Sequence, residues 1–395
     1  MKLAKLVSTA FSLLFLFSCS KGGSVSSPSA QTPVEVTDGL GRKDDYVPGS
    51  YKRIVCVGAG ALRAYSYLGD VSLLAGVEDI DSPDRRTATS PFEGVGRPYY
   101  DAKKESFRGL ESAGKGGPLA MKAGIPLTEL LSLKPDLIVS AYSDAADANK
   151  MAEATGAKVY SLSFGPKGPF DPKLYDSYLG LGEVLGRSSR AKELVDYLKA
   201  SKEELEGKAK EAEKAGPVQA YVAGIGNWGQ TDYLSTHITF PPFEVAGVSN
   251  VASDASMVQG QGQTALTKEA FLALGEKMEK LYLDAAGLKK TLLEYQQDET
   301  ILDAVKAVQD GEVYLLLPYN AYYTNIEVAL IDSYYIASTA YPSLYEGFSF
   351  EEKEKEIYET FLGKDMTKEE ASLKGNYGGF QQIQDLKSFL KEQEA

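Results

Sequence analysis

Two stretches in which short β-branched runs alternate with helical patterns flank a leucine-rich segment at residues 172–214, and this arrangement leaves few folds open. The first stretch is organised around Ile54-Val55-Cys56-Val57, an apolar run of the kind that a strand covered on both faces requires. Gly58 and Gly60 follow at once. Glycine tolerates positive φ, so the backbone can turn tightly into the helical run Ala61, Leu62, Ala64, Tyr65 and Leu68. In open α/β sheets ligands sit at the carboxyl ends of such strands, which places Arg63, one turn into the helix, to face one. Gly58-Ala59-Gly60 begins like a dinucleotide-binding turn. Arg63, however, holds the third glycine position, which that motif keeps small for close helix–strand packing. A structural turn is the better reading.

The rest of the chain punctuates in the same way. Val34–Gly41 and Lys52 onward form an entering edge hairpin, and Leu73–Val77 is the next strand. Residues 80–118 read as a long polar loop holding Arg97-Pro98-Tyr99-Tyr100, and loops of that length are usually functional. Thr128 is placed to cap a helix that stops at Lys134-Pro135. Asp136–Ser140, Ala145–Thr155 and Lys158–Leu162 then follow as strand, helix and strand, so the strand–helix units build a parallel sheet. Leu174, Leu181, Leu185, Leu194, Leu198 and Leu205 predict one long helix over 172–214, with a break near Gly186 allowed. Strands at Val218–Val222, Lys280–Leu283 and Glu312–Leu317 restart the pattern, with helices at Phe243–Gly247, from Thr267, at Glu299–Val308 and over 326–341. Residues 350–395 are charged and read as mostly helical.

The N-terminus reads as a targeting segment. Lys2 and Lys5 precede an apolar run, Leu6–Phe17, that is too short to span a bilayer. Leu16-Phe17-Ser18-Cys19 resembles a bacterial lipobox, which implies cleavage after residue 18, a lipid on Cys19 and a flexible tether over 19–33. The alternative is an ordinary secretory signal with an incidental cysteine. After cleavage Cys56 alone would join Cys19, and its place in a core strand makes it a small hydrophobe; no disulfide forms within the mature chain and no Cys/His cluster has zinc-type spacing. A net charge of −13 argues against nucleic acid, which requires a basic face. Histidine-assisted nucleophilic catalysis would have His237 alone to work with, and no acid–base set lies at motif spacing, so an exported enzyme is the least favoured class.

Two elements carry a family resemblance. Leu127-Thr128-Glu129-Leu130-Leu131 with Lys134-Pro135-Asp136-Leu137-Ile138 opens and closes a helix ahead of a strand, and Leu266-Thr267-Lys268-Glu269-Ala270-Phe271 repeats the helix start. With Thr37-Asp38-Gly39-Leu40-Gly41-Arg42, these make the chain similar to substrate-binding proteins of bacterial ABC importers for iron complexes, haem and cobalamin, from Val36 to about Pro342. Leu274-Gly275-Glu276-Lys277-Met278 departs from the family's second-lobe step. The resemblance implies an α/β fold of two Rossmann-like lobes joined by a single long rigid helix, with the ligand in the cleft between them. The segments would be 34–170 for the first lobe, 171–215 for the connector, 216–330 for the second lobe and 331–395 for terminal helices. It also implies a monomer that closes modestly on its ligand.

By position, the resemblance assigns Glu129 and Glu269 to docking on the permease, which works with an ATPase; the alternative is that each carboxylate favours its own helix N-terminus. Loops at strand ends would line the cleft: Arg63, Arg97, Tyr99, Tyr100 and Tyr142 from one side, and Trp228, Tyr233, His237, Tyr319, Tyr322 and Tyr323 from the other. Arginine offers a planar fork to oxyanions, and aromatic faces suit a flat chelate. With 25 tyrosines against one tryptophan and one histidine, such walls are available. His237 is also the one histidine that could ligate haem iron or corrinoid cobalt, though a lone histidine is more often structural. The expected cargo is an iron chelate, siderophore or haem, with no resident cofactor. Cobalamin, or molybdate or tungstate, on the same scaffold is the alternative. The expected location is the outer side of a membrane, anchored through Cys19.

Overall fold

Strand and helix alternate as their residues dictate, and the products are two separate sheets, the first wholly parallel and the second parallel except for one edge strand. The computed structural model describes residues 32–86, 96–225, 232–254 and 263–393. The proposed signal, Cys19, most of the tether and Trp228 lie outside the described residues. From Pro33 onward the chain packs as one unit.

An antiparallel hairpin, β1 (Val34–Thr37) with β2 (Lys43–Tyr46), leads into the first sheet. That sheet contains β3 (Ile54–Val57), β4 (Leu74–Val77), β5 (Glu111–Ser112), β6 (Leu137–Ser140) and β7 (Lys158–Ser161), all parallel, in the order β5-β4-β3-β6-β7. The chain thus starts in the middle, works to one edge and returns to the other side of β3. Such a reversal leaves a crevice at the carboxyl ends of β3 and β6, the natural ligand position of an open sheet. Every residue of β3 and β6 is buried, which accounts for their unbroken apolar sequence.

The second lobe repeats the device. It holds β8 (Gln219–Ala223), β9 (Ser235–His237), β10 (Ser249–Asn250), β11 (Gln263–Ala265), β12 (Lys280–Asp284), β13 (Val313–Leu316) and β14 (Gln381–Ile383). The sheet order is β10-β8-β12-β13-β14, so its reversal falls between β8 and β12. β9 and β11 form a separate antiparallel ribbon beside it. The terminal segment expected to be helical adds β14, antiparallel to β13, and so completes the second sheet. Three-residue strands of glutamine and isoleucine carry too little periodicity to be seen in sequence.

The expected connector is two helices. Pro172–Val184 ends at a turn in which Gly186 takes φ 65°, and Ser188–Ala215 then runs for 28 residues, about 42 Å at 1.5 Å per residue. Its buried stripe is Ala191, Leu194, Val195, Leu198, Leu205, Ala209 and Ala212, the helical face that the leucine spacing announces. A second bridge was not legible. The helix Ile326–Ala340 is buried almost all round, and its residues share one apolar cluster with Tyr65 and Tyr67 of the first lobe, Tyr178 of the connector, and Tyr282, Tyr314 and Leu316 of the second lobe. The core therefore passes from lobe to lobe without interruption.

Three local expectations are corrected. Residues 80–118 are not a single loop, because Pro98 at a helix's first turn opens Pro98–Phe107. Thr128 does not cap its helix, which already begins at Leu127 behind Pro126. Glu299–Val308 is split into Thr300–Asp303 and a second short helix, Lys306–Gln309.

Candidate functional site

The two sets of strand-end loops face each other, and contacts across them define the site. Gly58, at the end of β3, has φ 90°, and a Cβ there would lie 3.3 Å from Ala141 and from the Tyr142 ring at the end of β6. Gly224, at the end of β8, has φ 83°, and a Cβ there would lie 3.0 Å from the Asp284 carbonyl at the end of β12. Each lobe thus closes its reversal point with a glycine, since only glycine fits both the angle and the approach.

Loop Pro318–Asn325, after β13, crosses to the first lobe. Arg63 donates through Nη2 to the Ala321 carbonyl and to Asn325 Oδ1, both at 2.7 Å, and through Nη1 to the Tyr322 carbonyl at 3.3 Å. Its guanidinium also lies 4.8 Å from the Tyr99 ring centre. The Tyr322 hydroxyl donates to Glu78 Oε2 at 2.8 Å, while Gly58 N–H donates to Glu78 Oε1 at 3.1 Å. The Tyr323 ring sits 4.6 Å from that of Phe164, and Ile80 packs with Ala321 and Tyr322. Tyr322 and Tyr323 have φ of 53° and 78°, a left-handed pair without glycine that costs on the order of 1–3 kcal/mol per residue and persists because so many contacts hold it. Burial raises the Glu78 carboxyl to about 8, against the pull of the Tyr322 and Gly58 hydrogen bonds.

The first-lobe candidates are largely spent on one another. Arg97 is fully buried, pairs with Asp81 and donates to the Ile80 carbonyl at 2.8 Å. The Tyr99 hydroxyl donates to the same Asp81 oxygen at 2.7 Å, and Tyr100 lies under the Arg97 guanidinium. Arg97 and Tyr99 therefore share a buried network with Asp81. Tyr142 is buried and donates to the Gly124 carbonyl at 3.2 Å.

The second-lobe candidates are arranged differently. Tyr319 is fixed by its backbone N–H, which donates to Asp284 Oδ2 at 2.8 Å, and its ring packs on Phe240 and His237 at 5.0 and 6.3 Å. His237 is 3% exposed and its Nδ1 has no hydrogen-bond partner among the described residues. Burial lowers its pKa to about 4, so the ring is neutral near pH 7. The Tyr233 hydroxyl is also buried with no partner among the described residues, its ring set against Phe271. Gln263, which sequence reasoning passed over, stands directly opposite His237 in the β9–β11 ribbon, and its Oε1 likewise has no partner among the described residues. Glu78 and Asp81 were also passed over, although an acidic run directly after a buried strand marks a strand-end loop. Among the described residues no group of three or more histidine, cysteine, aspartate or glutamate side chains could hold a metal ion.

Glu129 and Glu269 occupy first turns of matching helices, Leu127–Leu133 and Lys268–Gly275. Thr267 caps the second by accepting from Ala270 N–H at 3.2 Å. Each glutamate has an exposed leucine close by on its helix, Leu131 and Leu272.

A family model described as periplasmic binding protein matches residues 122–319, half of the chain, from the first-lobe helices to the loop after β13. The chain belongs to the periplasmic binding protein family. Its fold is that of several solved members. A periplasmic solute binding protein from Veillonella parvula superposes with TM-score 0.64 at 15% identity, covering 86% of this chain and 96% of its own. The molybdate periplasmic binding protein MolA of Haemophilus influenzae, bound to molybdate, gives 0.63 at 18%, covering 84% and 98%. The catecholate-siderophore binding protein VctP of Vibrio cholerae gives 0.52 at 16%, covering 78% and 99%. No curated protein sequence matches. Periplasmic binding proteins are extracytoplasmic solute-binding partners of ABC importers, and no described helix of this one is long and apolar enough to cross a membrane.

Proposed function

We propose that this periplasmic binding protein captures an iron complex, a siderophore or haem, between its lobes and delivers it to an ABC permease. The observation that carries the reading is the pairing of Tyr323 with Phe164 and of Tyr319 with His237 on strand-end loops of the two sheets. Aromatic walls remove the apolar faces of a flat chelate from water at about 25 cal/mol per Å². Glu129 and Glu269, at corresponding helix starts, would give the permease a docking register, with Leu131 and Leu272 beside them. A lipid on Cys19 would hold the protein at the membrane. The protein acts as a monomer and has no resident cofactor in this reading.

Protein purified from cells supplied with haem or with a ferric siderophore tests the cargo: a bound chromophore in the visible spectrum is expected. Colourless protein that binds tungstate tightly overturns it. Cys19→Ala should move the chain from the membrane fraction to the soluble one; unchanged partitioning rejects the anchor.

A further inference from the structure

In an open parallel sheet the carboxyl ends of the central strands are where ligands sit. In the first lobe that place is taken by the chain itself. Ala321 and Tyr322, from the second lobe's 318–325 loop, pack on Ile80, just beyond β4, and on Ala59, just beyond β3. A Cβ on Gly60 would lie 3.3 Å from Tyr323 Cβ. Ala321 and Tyr322 are 0% and 4% exposed, so the loop is inserted into the crevice and not laid across its mouth. The Tyr323 and Phe164 rings are in contact at 4.6 Å, and a flat ligand could pass between them only after they part.

The loop is built as a separate piece. Ala321 N–H donates to the Tyr323 carbonyl at 3.0 Å, Asn325 N–H to the Tyr319 carbonyl at 2.9 Å, and the Thr324 hydroxyl to Asn320 Oδ1 at 3.1 Å. Its polar grip on the first lobe is concentrated at Arg63, which holds two of its carbonyls and Asn325, and at Glu78, which holds the Tyr322 hydroxyl. The catch is backed from behind. Asn325 Nδ2 donates to the Gly96 carbonyl at 3.1 Å, and Gly96 N–H donates to Asn376 Oδ1 of the C-terminal segment, also at 3.1 Å. Only glycine fits there, because a Cβ would fall 1.9 Å from Glu370 Oε1. Against these contacts stands the left-handed backbone of Tyr322 and Tyr323, a strain that the loop sheds on leaving. A self-contained loop, gripped at few points and strained while gripped, has a seated and a released state.

We propose that the 318–325 loop is a latch: it occupies the ligand position of the first lobe, and cargo enters by displacing it while the helix Ile326–Ala340 keeps the lobes together. This rests on the cleft reading above. A loop that served only as a cleft wall would stay seated and become more ordered when cargo binds. A latch is expelled and becomes less ordered.

Hydrogen exchange of the full chain, read peptide by peptide, separates the two, with haem and a ferric trihydroxamate as probes. Without a probe, peptides covering 319–325 should exchange slowly. Tyr322→Phe, which removes one hydroxyl and keeps the ring, should speed them about fivefold while β3 and β13 stay within about twofold. A probe that binds should speed the same loop peptides in the unmutated chain, and should bind Tyr322→Phe about threefold more tightly, since less of its binding energy goes into opening the latch. Loop exchange that is fast from the outset overturns the proposal. So does a loop that the bound probe slows, or a probe bound more weakly by Tyr322→Phe; each of these leaves the cleft reading standing. If neither probe binds either chain, the cargo reading falls. The latch is then upheld by slow loop exchange with the fivefold response to Tyr322→Phe, and rejected without them.

Discussion

The two lobes are built by the same rule and finished differently. Each starts its sheet in the middle, reverses, and closes the reversal point with a left-handed glycine, Gly58 in one and Gly224 in the other. In the first lobe most of the polar groups behind that glycine are engaged, Arg97 and Tyr99 with Asp81 and Arg63 and Glu78 with the visiting loop, while Arg63 Nε is buried with no partner among the described residues. In the second, Tyr233, His237 and Gln263 are buried with atoms that have no partner among the described residues. A satisfied network positions and rigidifies, while an unsatisfied one pays a desolvation cost that a ligand can recover. In the proposed reading the first lobe acts as the brace, and the second as the reader.

The contrast can be broken first at Arg63. Arg63→Ala strands the Ala321 and Tyr322 carbonyls and the Asn325 amide, and should cost about 3–5 kcal/mol of stability by denaturant midpoint, as leaving several buried acceptors unpaired at about 1–3 kcal/mol each does. A loss below about 1 kcal/mol would mean that the loop needs no brace. Second is the pH slope from Glu78. Its folded carboxyl titrates at about 8, well above its value in the unfolded chain, so the folded state holds the extra proton. The stability this confers is complete below about 4.3 and is lost as pH rises through 8, at up to about 1.4 kcal/mol per pH unit. Thermal melts of Glu78→Gln across that window should show a shallower decline; an unchanged slope assigns the effect elsewhere.

The reader side predicts smaller effects. His237 is held neutral with its pKa lowered to about 4, so the stability tied to it is present above about 6.5 and is lost as pH falls towards 4. His237→Phe should remove that acid-side loss and change stability at pH 7 by less than about 1 kcal/mol, in contrast to Arg63→Ala. A drop as large as that of Arg63→Ala would make His237 a brace as well. Smallest is the helix end after Glu129, where Lys134 takes φ 48° while its second-lobe counterpart, Glu276, stays right-handed. Lys134→Gly should stabilise by up to about 1 kcal/mol, measured by thermal midpoint. Last, the shared core around Ile326–Ala340 predicts little compaction on ligand binding. A large fall in the radius of gyration by solution scattering would show that the lobes hinge past it.

Local chemistry settled much of the architecture. Unbroken β-branched runs could only be doubly covered strands, glycines at their ends could only be tight turns, and the leucine stripe of 188–215 could only be a helix with one buried face. These patterns repeat within a few residues, so they are visible without the fold. Partnership was decided elsewhere. Arg63 meets residues 321–325, and Glu78 meets Tyr322, across some 240 to 260 positions. Whether an arginine is spent or free, and whether a histidine is satisfied or waiting, depends on which side chains folding brings alongside it, and no local pattern carries that information.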